Sequence, residues 1–263
     1  MSVELFEKYD ELKSLIKKYT TVGVAFSGGI DSSLLVLIAV KVLGAENVVA
    51  LHGRSVLSCD ESAVTKTFHQ NFHSSVELKV IELNPLTWPE FVSNDDKRCY
   101  FCKRKTYTAF KKHLCGVGVE TLLDGTNFDD LYSNRAGLPV LDELDIKTPL
   151  AEAGFRKKEI RFLAKILGLQ NYNLPSDSCL ATRLQSLPSI DNESLFVVKN
   201  LETYIKNIGF KGCRVKPDKS SVVIELRQQD IVKFSHKHNR LNILKICRRF
   251  GFSTVYLDIQ GRL

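Results

Sequence analysis

No apolar run in the chain approaches the ~20 residues that a membrane-spanning helix needs, so no membrane partner is expected. The amino-terminal stretch MSVELFEKYDELKSLIKKY lacks the apolar core of a signal peptide and is rich in acids. Its Leu5, Tyr9, Leu12, Ile16 and Tyr19 instead follow helical spacing, which predicts a surface helix. Export is therefore not expected, and a cytoplasmic location is. Two glycine-rich nucleotide motifs are also missing. There is no GxxxxGK[ST] loop with a lysine for the β- and γ-phosphates, and no GxGxxG opening a dinucleotide fold. Internal repeats and low-complexity tracts are absent, although LGLQNYNLPSDS is locally polar. No zinc-finger cysteine pairs flank the centre of the chain, and its last third lacks an aromatic-rich basic strand pattern, which disfavours nucleic acid as partner. What remains is an ordinary globular composition, 44% hydrophobic and 25% charged over 263 residues, enough for two modest domains. A net charge of +7 points to an anionic partner, which a nucleotide or another small anion satisfies.

Against these absences one stretch stands out, VGVAFSGGIDSS from Val22 to Ser33. Val22–Phe26 reads as a buried parallel strand, Ser27–Ser32 as a glycine turn, and Leu34–Leu43 as the helix that follows. Two glycines let backbone approach a ligand closely, and a helix amino terminus behind them offers unpaired N–H groups, so the turn should hold phosphate. SGGIDS resembles the SGGxDS pyrophosphate loop (PP-loop) of ATP pyrophosphatases. That resemblance implies cleavage of ATP between the α- and β-phosphates with adenylation of a substrate oxygen.

Further along, strands are expected at 47–52, 76–83 and 119–124, and helices at 60–73, with Asp60 as cap, and at 98–114. Residues 84–97 and 128–155 show no sustained period and read as loops, the second long enough to be functional. A helix is expected over 156–167, stopped by Gly168. Strands alternating with helices predict an α/β fold with a doubly wound parallel sheet, and its ligand at the carboxyl ends of the strands. A polar stretch at 171–191 suggests a boundary, giving domains 1–175 and 176–263. The second reads as a small α+β domain: helix 192–208, strands 213–216 and 221–226, helix 229–250 and strand 254–259. It is expected to serve substrate binding or oligomerisation, and a homo-oligomer is expected.

Seven cysteines, an odd number, in a chain without an export signal argue for reduced thiols. Cys99 and Cys102 lie three apart, so a helix would turn both to one side between Arg98 and Lys103, whose charge favours thiolates. Taken alone, this CxxC suits half of a zinc site, a redox pair or no chemistry. Cys179 sits in PSDSCLATR, ahead of Arg183. Cys59, Cys115, Cys213 and Cys247 read as unreactive thiols.

Here the motifs become specific. SGGIDS, RCYFCK, LDGTNFDD, the NRAG and TPLAEAG pieces, and PSDSCLATR occur in the order and approximate spacing of the LarE family. Its members are ATP-dependent sulfur transferases of nickel-pincer nucleotide biosynthesis. The likeness is close over about 21–183 and looser beyond, through CRVK, VVIEL and VYLDIQGR. It implies a fold like that of the adenine nucleotide alpha hydrolases, and conversion of carboxylates of a pyridinium dicarboxylic acid mononucleotide to thiocarboxylates. In that family, members with only the loop cysteine sacrifice its sulfur, whereas those with three resemble cluster-containing thiolation enzymes. This chain has three. Three thiolates satisfy three irons of a 4Fe-4S cluster and leave the fourth open for sulfide, while a structural zinc would want a fourth protein ligand. Cys99, Cys102 and Cys179 are therefore the expected cluster ligands, the sulfur donor itself being unknown.

By the same resemblance Ser27, Gly28, Gly29, Asp31 and Ser32 would hold the pyrophosphate, and Gly125 and Thr126 would close the ATP site. Mg2+ is expected there, near Asp31, Asp129 or Asp130. Cys179, Asp31 and Arg183 would be catalytic. Arg98, Lys103, Arg135, Arg183, Arg214 and Arg262 would receive an anionic nucleotide substrate. The chain departs from the family after CLATR, where LQSLPSID replaces a proline-tyrosine-glycine turn, and at Gly261–Leu263, which precedes the family's usual tail. Alternatives of other kinds are a tRNA thiolation enzyme, an ammonia-using ligase of the same superfamily, and a non-catalytic nucleotide- or metal-binding protein.

Overall fold

The computed structural model describes residues 3–58, 60–72, 76–133, 136–174 and 178–262. In chain order the elements are α1 (Val3–Ile16), β1 (Val22–Ala25), α2 (Ile30–Leu43), β2 (Val48–Arg54), α3 (Glu61–Phe72), β3 (Glu77–Glu82), α4 (Pro89–Val92), α5 (Arg98–Gly116) and β4 (Thr121–Leu123). After these come α6 (Phe128–Leu131), α7 (Pro139–Glu143), α8 (Pro149–Glu152), α9 (Lys157–Ile166), α10 (Asn192–Asn207), β5 (Arg214–Asp218), β6 (Ser221–Arg227), α11 (Ile231–Phe234), α12 (Lys237–Arg249) and β7 (Thr254–Arg262). They form two compact units. The first contains Met1–Ser55, Asp60–Leu83 and Cys99–Ser176, and the second Val56–Cys59, Asn84–Arg98 and Asp177–Leu263. No helix among the described residues is long and apolar enough to cross a membrane.

The first unit is a parallel sheet in the order β3-β2-β1-β4. A parallel strand is covered on both faces, which is why Val22, Val24, Val48, Ala50, Leu51, Leu122 and Leu123 are all buried and read as apolar runs rather than alternations. One face packs α1, α2 and α9 through Leu12, Ile16, Leu34, Ile38, Ile160 and Leu163, and the other packs α5 and α7 through Phe110, Leu114 and Leu141. Gly23 is required by this second layer, since a Cβ there would lie 2.4 Å from Leu114 Cδ1. From β1 the chain winds out to β3 and then returns to place β4 on the opposite side of β1. The strand order thus reverses between β1 and β4, and the crevice at their carboxyl ends is where such sheets take ligands. The expected doubly wound α/β fold is the one observed.

In the second unit β6 lies between β5, antiparallel, and β7, parallel, so the small sheet is mixed. Val222, Ile224 and Leu226 alternate inward along β6 and pack under α10 and α12 with Leu201, Ile205, Val215, Ile243 and Cys247. Three stretches differ from expectation. Residues 128–155 carry α6, α7 and α8, of four or five residues each, too short to show a 3.6-residue period. They are set by local devices: an Asn127/Asp130 capping box, and prolines at the starts of α7 and α8. Residues 84–97 include the short helix α4, also opened by proline. The single helix expected over 229–250 is two, α11 and α12, because His236 has extended backbone and Asn239 Nδ2 donates to Lys233 O across the break.

Candidate functional site

In the first unit the carboxyl end of β1 turns at Ser27-Gly28-Gly29 into α2. Gly28 has φ +78°, a conformation side chains resist. Gly29 caps α2 without any side-chain hydrogen bond, leaving first-turn N–H groups of a 14-residue helix for a ligand. Ser32 ties the turn to itself: its Oγ donates to Gly29 O at 3.0 Å and accepts from Ser27 N at 3.3 Å. Gly125, after β4, packs directly on this start, and a Cβ there would lie 3.0 Å from Ser32 N. Thr126 is buried beside it, its N–H donating to Asp124 Oδ1 at 2.7 Å and its hydroxyl to the same oxygen. Ser27, Gly28, Gly29, Asp31, Ser32, Gly125 and Thr126 are thus brought together.

Two side chains that no motif singled out complete this region. Asn171, buried, donates through Nδ2 to Gly28 O at 3.1 Å and to Ser33 Oγ at 2.9 Å, bracing the turn from behind. Lys157, the first residue of α9, forms an ion pair with Asp31 Oδ2, while Asn127 Nδ2 donates to Asp31 Oδ1 at 3.2 Å. The loop itself has no lysine, and α9 supplies one. Of the other acids, Asp130 belongs to the capping box and Asp129 binds Arg156 at 3.0 Å and Lys157 N at 2.8 Å. Asp31 is the carboxylate within the turn, a hard oxygen donor of the kind Mg2+ takes.

Cys99, exposed, and Cys102, half-buried, share one face of α5. Lys103, next along, lies 3.7 Å from Asp124 Oδ2 and 5.1 Å from the centroid of the Tyr107 ring. Tyr107 hydroxyl donates to Asp124, and burial, then that carboxylate, pushes its pKa well above the usual value. Gly137 of the NRAG piece packs on α5, where a Cβ would lie 3.1 Å from Lys103 Cδ. Among the described residues no group of three or more His, Cys, Asp or Glu is placed to hold a metal ion. Cys115 is exposed, and Cys59 and Arg135 lie outside the described residues.

In the second unit Cys179 is exposed at the head of a single 3-10 turn, 180–183, and Arg183 is buried behind it. Arg183 Nε donates to Glu202 Oε1 at 2.8 Å. Arg98 is buried and donates to Asn94. Arg214, on β5, is half-buried, and its Nε is enclosed without a hydrogen-bond partner. Burial first, then Arg262 and Arg183 nearby, holds its pKa below the usual value. Glu225, across the ladder from Arg214, is paired with Lys216. Arg262 Nη1 donates to Gly212 O at 2.5 Å. Two arginines with an unsatisfied donor between them suit an anion.

The NAD synthase family model matches residues 5–94, which include the glycine turn. Pyridinium-3,5-bisthiocarboxylic acid mononucleotide synthase of Lactiplantibacillus plantarum is 30% identical over 257 residues, 98% of this chain and 92% of that protein. The chain belongs to this synthase family, LarE. Uncharacterized proteins of Synechocystis (28% identical, 98% of this chain and 95% of that one) and Methanocaldococcus jannaschii (29%, 97% and 96%) are similar over the same span.

For a LarE-family chain the sequence motifs locate the nucleotide turn and both cysteine segments, and they leave out Asn171, Lys157 and Glu202. Each of these three acts on a residue far away in sequence, and none stands in a recognisable spacing. Lys157 carries the one weak signal, a basic pair at the first turn of a helix, where an acid is the ordinary choice.

Proposed function

We propose that the chain is an ATP-dependent sulfur transferase that adenylates a carboxylate of a pyridinium dicarboxylic acid mononucleotide and converts it to a thiocarboxylate, in nickel-pincer nucleotide biosynthesis. The observation that carries this reading is the lysine-free SGGIDS turn at the switch point of the parallel sheet, with the Gly125 backbone packed against it. Such a turn cradles the β- and γ-phosphates as a leaving group and leaves the α-phosphate open to attack.

In the first step a substrate carboxylate oxygen attacks the α-phosphorus. The new O–P bond forms as the bond to the pyrophosphate oxygen breaks, and pyrophosphate leaves with the electron pair. Backbone N–H groups at the start of α2 and the Lys157 ammonium receive its charge, and Asp31 would hold an Mg2+ ion, which when bound would supply further positive charge against the phosphates. Arg214 and Arg262 bind the substrate's phosphate or its second carboxylate. In the second step a sulfur nucleophile attacks the acyl carbon, the C–S bond forms, and AMP leaves with the C–O pair.

Cys179, with Cys99 and Cys102, is the proposed sulfur-handling set. A 4Fe-4S cluster on these three thiolates would supply sulfide from outside the chain. The reading is supported by the count and spacing of the cysteines and by the exposure of Cys179. Anaerobic purification with iron and sulfide analysis, followed by assay of substrate-dependent pyrophosphate release, tests both parts. AMP and pyrophosphate are the expected products, and ADP with phosphate would overturn the adenylation step. Iron and sulfide lost on replacing any of Cys99, Cys102 or Cys179 by Ala is expected. Active, iron-free protein that ends with dehydroalanine at position 179 would replace the cluster by donation of the Cys179 sulfur itself.

A further inference from the structure

The arginine of the CLATR segment is one of the largest fully buried side chains among the described residues, with 2% exposure, so it is not open to a substrate. We propose that Arg183 and Glu202 form a positioning clamp that fixes the turn bearing Cys179, and that Glu202 thereby sets where the sulfur sits. The proposal rests on the reading of Cys179 as a sulfur-handling residue.

One edge of the guanidinium faces α10. Nε donates to Glu202 Oε1 at 2.8 Å and Nη2 to Oε2 at 3.3 Å, a two-bond fork. Nη1 points the other way, into the turn. It donates to Ser178 O at 2.9 Å, Ser178 Oγ at 2.5 Å and Thr182 Oγ1 at 3.1 Å, and reaches Cys179 O at 3.3 Å. The Cys179 carbonyl also accepts from Thr182 N at 3.0 Å and Thr182 Oγ1 at 2.7 Å. Glu202 is itself fixed from a third side, since Val215 N on β5 donates to its Oε1 at 3.1 Å. Downstream, Asn94 Nδ2 donates to Leu184 O at 2.7 Å and Leu187 O at 2.6 Å, and Leu180 N donates to Leu57 O at 2.9 Å.

The outcome is an exposed thiol on a backbone held from behind at each neighbouring residue. A buried ion pair is a weak means of stabilisation, because desolvation offsets most of its attraction. What it supplies here is geometry: a planar five-donor group joins one carboxylate to several acceptors of one turn, which neither lysine nor an apolar pair can do. Glu202 neutralises the charge of Arg183, which leaves Arg214 and Arg262 as the proposed substrate cations of this unit.

The test uses the full chain with Glu202→Gln, Arg183→Lys and the double variant Arg183→Met with Glu202→Leu, which removes both buried charges together and is the form best able to fold. Glu202→Asp, which keeps the charge and shortens the reach, is the fallback if the others fail to accumulate. Each is assayed in a single turnover, with enzyme in excess over substrate, for substrate-dependent pyrophosphate release and for thiocarboxylate formation, and for alkylation of Cys179 by iodoacetamide relative to Cys99 by peptide mass spectrometry. Misplacing the sulfur by about 1 Å should lower thiocarboxylate formation about 100-fold, with pyrophosphate release kept within about twofold because adenylation precedes the sulfur step. The Cys179 to Cys99 alkylation ratio should rise several-fold, and the double variant should lose no more than either single one. Parallel loss of pyrophosphate release, additive losses, or a wild-type alkylation ratio in Glu202→Gln would overturn the clamp. Full thiocarboxylate formation by Cys179→Ala would overturn the parent reading instead, whatever the clamp variants do.

Discussion

Replacing Gly125 by alanine tests the nucleotide site through geometry alone. The backbone at 125 is in a conformation open to any residue, so the substitution adds no torsional strain, only volume. That volume meets atoms that cannot rotate away: Ser32 N at 3.0 Å, Asp31 C at 3.3 Å and Ser32 Cα at 3.3 Å. Relief requires the β4 turn and the first turn of α2 to part by a few tenths of an ångström, and overpacking of this kind costs about 1–3 kcal/mol. For a domain of this size that corresponds to a fall in melting temperature of roughly 2–12 °C. The N–H groups that would hold pyrophosphate move with α2, so substrate-dependent pyrophosphate release should drop by about 10–100-fold. Gly116→Ala, at the end of α5 with open space around it, is the control. It should leave release unchanged and be neutral or stabilising by up to about 1 kcal/mol. Normal melting and normal release in Gly125→Ala would refute the contact between the β4 turn and the glycine loop.

Lys157→Met should lower pyrophosphate release by about 100-fold or more, as loss of a preorganised charge at a leaving group does, with the fold retained by circular dichroism; unchanged release would confine Lys157 to pairing with Asp31. Arg214→Gln should raise KM for the anionic substrate about 10–100-fold, the worth of one charged hydrogen bond, while KM for ATP stays constant in the same assay. Burial, then the Glu202 charge, pushes the Cys213 thiol from 9.0 up to about 12, and burial pushes Cys247 up to about 11. The folded state thus keeps protons that the unfolded chain releases, so this contribution to stability is complete below about pH 9 and is lost as pH rises from 9 through about 12. Native protein at pH 8 should leave both thiols unlabelled by iodoacetamide and urea-unfolded protein should label them, and Cys213→Ala should flatten the alkaline decline in urea midpoint.

The parallel sheet was legible because burial on both faces writes itself as uninterrupted apolar runs at 22–26, 48–51 and 122–123. The glycine turn was legible because its conformation restricts residue choice. The helices of residues 128–155 were not, since four or five residues held by a cap or a proline carry no period. Charge explains the rest of what was missed. Arg98 and Arg183 read as substrate cations from the sequence, yet Arg98 is buried against Asn94 and Arg183 against Glu202, partners 4 and 19 positions away that spacing does not announce. Lys157 and Asn171 escaped for the same reason, lying 126 and 143 positions from the groups they touch.

That last separation has a consequence for the chain during synthesis. Asn171 braces Gly28 and Ser33 from 143 and 138 residues downstream. At roughly 5–20 residues per second a ribosome needs about 7–30 s to reach it after the glycine turn has been made. Throughout that interval the turn exists as sequence without its brace, and β1 stands beside β2 with its other edge open until β4 arrives. Nascent chains stalled before residue 171 should therefore not retain ATP, and those stalled some distance beyond it should, so the ability to hold nucleotide is acquired late and in a single stage.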